Sequence, residues 1–167
     1  VAKMTGKTLE DHLRETFFQP FGMENTGVRT ASVVGYPNRF APGYMASFFG
    51  PLRPDRWIGL PIDNGANVGA AGNLFSTVHD LERWTTRLFR DQSFTPEEVE
   101  MFTKDRRDDR SYGLGITKRK KSYGPRIGHN GALSPEGYST YLIYAPETDT
   151  MVTVLRNQDL GIGRADD

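Results

Sequence analysis

Cysteine is absent from this 167-residue chain, which excludes disulfides, thiol catalysis and Cys-ligated metals and leaves the compartment open. Net charge is absent as well: 21 Lys and Arg balance 21 Asp and Glu, so electrostatics give no general reason to expect nucleic acid or an anionic membrane as partner. The same balance predicts poor colloidal stability near neutral pH. No apolar run in the sequence approaches the roughly 20 residues that span a bilayer.

Several signatures of chemistry are also missing. No serine is followed three positions later by lysine, and neither Gly-x-Ser-x-Gly nor His-Glu-x-x-His occurs. The three histidines, His12, His79 and His129, lie far apart in sequence, which gives no metal-ligand spacing. A glycine-rich turn, Gly69-Ala70-Ala71-Gly72, precedes a helical pattern but lacks the spacing and the lysine of a phosphate loop. Taken alone, the chain carries no complete catalytic set, and no metal or organic cofactor is expected.

With 37% hydrophobic and 25% charged residues, the chain is long enough to bury a real core as one domain or most of one. Lys3 followed by Gly6 reads as the end of a helix, and a helix ending there is expected to begin upstream of Val1. Thr8-x-x-Asp11 resembles a capping box. It opens a second helix with Leu9, Leu13 and Phe17 on one face and Pro20 and Gly22 as its stop; His12 lies off that stripe and reads as a solvated helix histidine. From Arg29 to Gly72 the sequence is irregular and rich in Gly and Pro. The aromatics there (Phe40, Tyr44, Phe48, Phe49, Trp57) argue against simple disorder, and they suit packing of the excursion better than the wall of a substrate channel.

A clear helix follows, with Ser76 or Thr77 as cap, Asp80 as the reciprocal carboxylate and Leu81, Trp84 and Leu88 as the buried stripe. His79, in its first turn, reads as structural. Thr95-Pro96-Glu97-Glu98 begins another helix. Antiparallel strands are then expected at Tyr112 to Lys118, Pro125 to Gly131, Tyr138 to Tyr144 and Thr150 to Leu155, with Lys118-Arg119-Lys120-Lys121 as a charged hairpin end. Apolar side chains on both faces of the later strands require cover on both sides. Three short helices cover one face, so further chain is expected for the other.

Within those strands, Gly128-His129-Asn130-Gly131 places a histidine between glycines, a pattern that suits close approach of backbone and ligand. A strand histidine that merely bonds within the core is the competing reading. Five ordered blocks bear on the choice: Gly6-Lys7-Thr8-Leu9-Glu10; Phe18-Gln19-Pro20-Phe21-Gly22-Met23-Glu24-Asn25-Thr26; Gly72-Asn73-Leu74-Phe75-Ser76-Thr77 with Asp80-Leu81; Tyr112-Gly113-Leu114-Gly115; and Gly128-His129-Asn130-Gly131 with Gly137-Tyr138-Ser139. In this order they resemble the serine β-lactamase-like hydrolases, the family of class C β-lactamases, D-aminopeptidases, DD-peptidases and related esterases.

The resemblance implies an α/β (α+β) fold, an antiparallel sheet flanked by helices, β-lactamase/transpeptidase-like and incomplete. Residues 1–110 would be mainly helix and loop, 111–157 antiparallel strands and 158–167 a tail, together the C-terminal part of one domain. It implies a serine hydrolase that acts on amide or ester bonds of a β-lactam, D-amino-acid peptide or ester through an acyl-enzyme. His129 would position substrate and stabilise charge, Gly131 would keep the strand edge open, and the backbone N–H of Ala132 would face the oxyanion. Asn130 and Asn157 would bind substrate.

The family's Ser-x-x-Lys and Tyr-x-Asn motifs precede the block at Gly6, so the missing N-terminal part of the same protein is the expected partner, and the fragment alone is expected to be inactive. Tyr36-Pro37-Asn38 spells the second motif on the wrong side of that block and reads as a turn. The stretch from Ala132 to Gly137 is about two residues longer than the common family form, an insertion at the rim of the site. By resemblance a periplasmic or secreted location is expected, with the cytoplasm still open. Two alternatives remain: a non-catalytic β-lactamase-like binding or regulatory module, and an unrelated sugar- or peptide-binding domain.

Overall fold

The computed structural model describes residues 1–28, 41, 43–45, 58–60, 69–91, 93–104, 112–122, 124–133 and 137–159. Tyr36-Pro37-Asn38, the side chains of the aromatics between Phe40 and Trp57, and the charged run 105–110 lie outside the described residues. By contacts the chain divides into two compact units. One comprises Val1–Gly27, Phe75–Asn130 and Tyr141–Val154; the other comprises Val28–Leu74, Gly131–Thr140 and Leu155–Asp167.

The first unit begins with the short helix α1 (Ala2–Thr5), which ends on Gly6 at φ 68°, a left-handed conformation that glycine adopts without a Cβ penalty. Helix α2 (Leu9–Leu13) is capped by Thr8, whose side chain accepts from the Asp11 N–H. The reciprocal half of the expected capping box is not what forms. The Asp11 carboxylate accepts instead from the Thr8 hydroxyl at 2.7 Å and from Arg14 at 2.6 Å, and the Thr8 hydrogen bond foremost holds its carboxyl below the usual aspartate range. The helix runs on as a π-helical turn, Arg14–Phe18.

The wider turn changes the phase of the expected stripe. Phe18 becomes the buried residue at 7% exposure, while Phe17 meets Trp84 edge-on with ring centroids 5.6 Å apart. A Schellman motif then closes the segment: Gly22 sits at φ 69°, and the N–H groups of Gly22 and Met23 bond the carbonyls of Gln19 and Phe18. Met23 and Phe18 are both buried, as the hydrophobic contact of that motif requires.

Helix α3 (Val78–Phe89) is capped by Thr77; Thr85 and Leu88 are buried and Trp84 half-buried. Helix α4 (Pro96–Thr103) shows the full capping box between Thr95 and Glu98, with Pro96 in its first turn. Phe17, Phe21, Trp84, Phe94 and Phe102 form one chain of edge-on and tilted ring contacts joining these helices. Such pairs add about 0.5–1.5 kcal/mol each beyond area burial.

Asp80 corrects an expectation. Its carboxylate does not turn back to close a box with Thr77. It is 0% exposed and accepts from the Asn25 N–H at 2.7 Å and the Thr26 hydroxyl at 2.9 Å, with Arg83 on its other oxygen at 2.8 Å. A buried carboxylate that met no such donors would be strongly destabilising. Thr-x-x-Asp therefore ties the loop after the Schellman turn to the start of α3, a link across 55 residues that a local pattern does not reveal.

Nine short or medium strands complete the described residues: β1 (Gly27–Val28), β2 (Gly43–Met45), β3 (Ile58–Leu60), β4 (Leu74–Phe75), β5 (Thr117–Lys121), β6 (Gly124–Leu133), β7 (Tyr138–Ala145), β8 (Thr150–Arg156) and β9 (Gln158–Asp159). β1 pairs with β4, and β5-β6-β7-β8 form a four-stranded sheet in that order. In the second unit β2 pairs antiparallel with β3 and parallel with β9. The long irregular stretch thus contributes two strands, and the expected tail opens with a third.

The first strand of the larger sheet begins five residues later than expected, because Gly113 and Gly115, the latter at φ 76°, hold Tyr112 to Ile116 as a loop. Lys118-Arg119-Lys120 and Lys121 lie in β5, paired with Arg126 to Gly124 and Ile127. They form an edge strand of like charge that resists pairing with another sheet. Against the later strands, Phe89 of α3 stacks on Tyr144 at 4.6 Å and 14°. On β8, Met151 and Thr153 are half-buried and Val152 and Val154 are 46% and 41% exposed. The alternation separates a covered face from an open one. Among the described residues no helix is long and apolar enough to cross a membrane.

Candidate active site

The glycines around His129 serve different purposes. A Cβ on Gly128 would lie 1.9 Å from the Leu142 carbonyl oxygen and 2.9 Å from Ile143 Cα, so only glycine lets β6 lie this close to β7. Gly128 is there for the neighbouring strand. At Gly131 a Cβ would find, among the described residues, only Thr140 Cβ, at 3.8 Å. Among the described residues the strand is open at this position.

Along β6 the burial changes at His129. Residues Gly124 to Gly128 are half-buried, and His129, Asn130, Gly131 and Ala132 are exposed in succession. Four of the five expected site residues thus present one continuous exposed stretch. Asn157 is half-buried and follows β8, which β7 separates from β6 in the strand order.

His129 is held at both ring nitrogens. Its Nδ1 is 2.5 Å from the Asn130 carbonyl oxygen and its Nε2 is 2.8 Å from the Tyr112 hydroxyl. A carbonyl can only accept, so Nδ1 carries a proton. In the neutral ring Nε2 then accepts from the Tyr112 O–H. The two rings meet edge-on with centroids 5.5 Å apart at 81°.

Tyr112 itself is set in place by the two glycines that follow it. The Gly113 N–H bonds the Ile116 carbonyl at 2.7 Å, and the Leu114 N–H bonds the Phe102 carbonyl at the end of α4 at 2.8 Å. A Cβ on Gly113 would stand 1.8 Å from that same Phe102 oxygen. The Tyr-Gly-Leu-Gly block is therefore a clasp onto α4 that delivers a phenol to His129. Sequence reasoning saw the block and gave its tyrosine no role; the paired glycines were the available signal.

An apolar cavity of about 290 Å³ lies beside this pair, lined by Trp84, Leu88, Phe102, Ile127, Leu142 and His129 among others. Thr85, Tyr144 and His129 are the polar members of a mostly apolar lining. Among the described residues no three His, Asp or Glu side chains gather as metal ligands would. His79 is exposed and 3.9 Å from Glu82 on its own helix, and His12 is half-buried in the last turn of α2.

The helices and the paired strands, among them β6 with its exposed Gly-His-Asn-Gly segment, define a mixed α and antiparallel-β protein. The chain belongs to the Beta-lactamase family, whose model matches residues 1–167. The D-amino acid amidase of Ochrobactrum anthropi SV3, in its complex with D-phenylalanine, superposes with a TM-score of 0.77 at 23% identity, covering 96% of this chain and 48% of that one. A D-stereospecific amidohydrolase from a Streptomyces species gives 0.74 at 22% identity, covering 93% and 46%. A curated relative, an unguisins hydrolase of Aspergillus campestris, is 28% identical over 91 residues, 54% of this chain and 16% of that protein. The chain thus spans about half the length of the solved structures it resembles and a smaller share of the curated relative.

Proposed function

We propose that this chain supplies the strand-side wall of a serine hydrolase that cleaves amide or ester bonds, D-amino-acid amides first among them. The observation that carries the reading is the exposed His129-Asn130-Gly131-Ala132 stretch, with an open strand edge at Gly131. Membership of the Beta-lactamase family and the likeness to two D-amino-acid-directed amidohydrolases support it.

In this reading the chain is the C-terminal part of a single domain, and a Ser-x-x-Lys segment in the chain preceding Val1 brings the nucleophile. The serine oxygen gives up its proton as it attacks the substrate carbonyl carbon, the C–N or C–O bond breaks, and the leaving amine or alcohol takes up that proton. Water then attacks the acyl ester, releases the acid and restores the serine hydroxyl. His129 orients the substrate and steadies charge during these proton transfers, and Asn130 binds the substrate. The N–H of Ala132 faces the developing oxyanion, a contribution of roughly 3 kcal/mol in comparable sites. Asn157 is a second substrate-binding position at the end of β8. No cofactor enters the cycle, and the 167 residues alone are inactive.

The test is to read the full coding sequence for Ser-x-x-Lys and to assay the full-length protein on D-phenylalanine amide, a p-nitrophenyl ester and a chromogenic cephalosporin. Turnover of at least one, abolished when that serine is replaced by alanine, is the expected result. A coding sequence without the serine motif, or no turnover of any of the three, would instead favour a non-catalytic binding module of the same family.

A further inference from the structure

We infer that Tyr112 is a positioning residue for His129, holding the ring in the plane in which the Asn130 carbonyl fixes its tautomer; the inference rests on the proposed role of His129 in the site. A histidine side chain on an exposed strand has two torsions to lose and two tautomers to choose between. The Asn130 carbonyl, its immediate neighbour, takes the Nδ1 proton. That contact alone constrains one edge of the ring. The Tyr112 hydroxyl at 2.8 Å on Nε2 constrains the opposite edge, and together they leave one orientation and, in the neutral ring, one tautomer with Nδ1 protonated.

The phenol can do this because its own backbone is pinned. Gly113 and Leu114 clasp the Ile116 and Phe102 carbonyls, and the 1.8 Å between a hypothetical Gly113 Cβ and the Phe102 oxygen leaves no other residue at that position. The orientation of His129 is therefore referred back through Tyr112 to helix α4, and through Phe102 and Phe94 to the aromatic cluster. The hydroxyl keeps lone pairs free to accept and the residue remains 37% exposed, so the pair is accessible from solvent.

The experiment compares Tyr112→Phe with His129→Ala and wild type in the full-length protein, using D-phenylalanine amide and a p-nitrophenyl ester, and reads the His129 ring by 15N NMR of histidine-labelled protein. The His129→Ala spectrum identifies the resonance. Tyr112→Phe keeps the ring, so its thermal midpoint is expected to stay at the wild-type value. The expected result is a loss of about tenfold in kcat with KM within about twofold, together with a shift of the His129 nitrogens from the Nδ1–H pattern toward a mixture of tautomers.

An unchanged tautomer pattern overturns the inference whatever the rate. A rate loss in His129→Ala with none in Tyr112→Phe sinks the positioning role alone. No rate loss in either variant, or no turnover at all, sinks the proposed function, and the tautomer readout then still decides whether Tyr112 sets the ring.

Discussion

Asp80 at the start of α3 and His129 on β6 are both polar side chains held from more than one side, and they differ in what surrounds them. Asp80 is fully buried, and its two carboxylate oxygens meet a backbone N–H, a hydroxyl and a guanidinium. His129 is exposed, holds one partner at each nitrogen, and is followed by three exposed residues on an open strand. A polar group closed off on every side stabilises a loop–helix junction. One oriented yet accessible is disposed to act on something else.

The largest effect should come from the closed site. Asp80→Ala leaves the Asn25 N–H and Thr26 hydroxyl without their acceptor, and urea unfolding should show a loss of about 2–3 kcal/mol. A loss under about 0.5 kcal/mol would mean that the junction holds without the carboxylate.

The two glycines around His129 sharpen the contrast within a single strand. Gly128→Ala drives a methyl into the Leu142 carbonyl and should cost about 1–3 kcal/mol, seen as lost hydrogen-exchange protection in β6 and β7. Among the described residues Gly131→Ala meets nothing closer than 3.8 Å, so its stability should stay within about 0.5 kcal/mol of wild type. Its effect should fall on substrate turnover. Equal destabilisation by the two changes would erase the distinction drawn between a glycine kept for packing and one kept for access.

A smaller effect belongs to Asp149, where Arg90 Nε at 2.7 Å and the Tyr144 hydroxyl at 3.1 Å engage one carboxylate oxygen. The Arg90 hydrogen bond foremost holds the Asp149 carboxyl below its ordinary value. A depressed native value means that the stabilisation is fully present above the unfolded value of about 3.9 and is lost as pH falls through the native one. Asp149→Asn keeps a residue tolerant of φ 47°. It should be slightly less stable than wild type at pH 7, and the gap should close as the pH is lowered below about 4. A gap independent of pH would exclude the ion pair as its cause.

Much of this was legible locally. The caps at Gly6, Thr8, Thr77 and Thr95 follow from side-chain chemistry within four residues, and β6, β7 and β8 of the larger sheet follow from their apolar runs and turn residues, whereas the charged β5 does not. What was not legible depends on distant partners. The π-helical turn that buries Phe18 beside Phe17 shifts a stripe that a constant 3.6-residue period places elsewhere. Asp80 satisfies a capping pattern in sequence and a loop in space. Gly128 reads in sequence like Gly131, and only the position of β7 separates their roles. Of the candidate site, the exposed stretch from His129 onward was picked out by the glycine pattern and the order of the family blocks. Tyr112 was not given a role, because nothing within its own segment shows that the clasp onto Phe102 aims its hydroxyl at a strand 17 residues away.

The central question is whether the exposed end of β6 takes part in catalysis. The direct measurement is kcat/KM of the full-length protein, before and after His129→Ala, on D-phenylalanine amide, a p-nitrophenyl ester and a chromogenic cephalosporin, with unfolding followed in parallel. A fall of at least about 100-fold on each substrate that wild type turns over, with stability retained, is the predicted result. Unchanged kcat/KM on every one of them would remove His129 from the site and contradict the account.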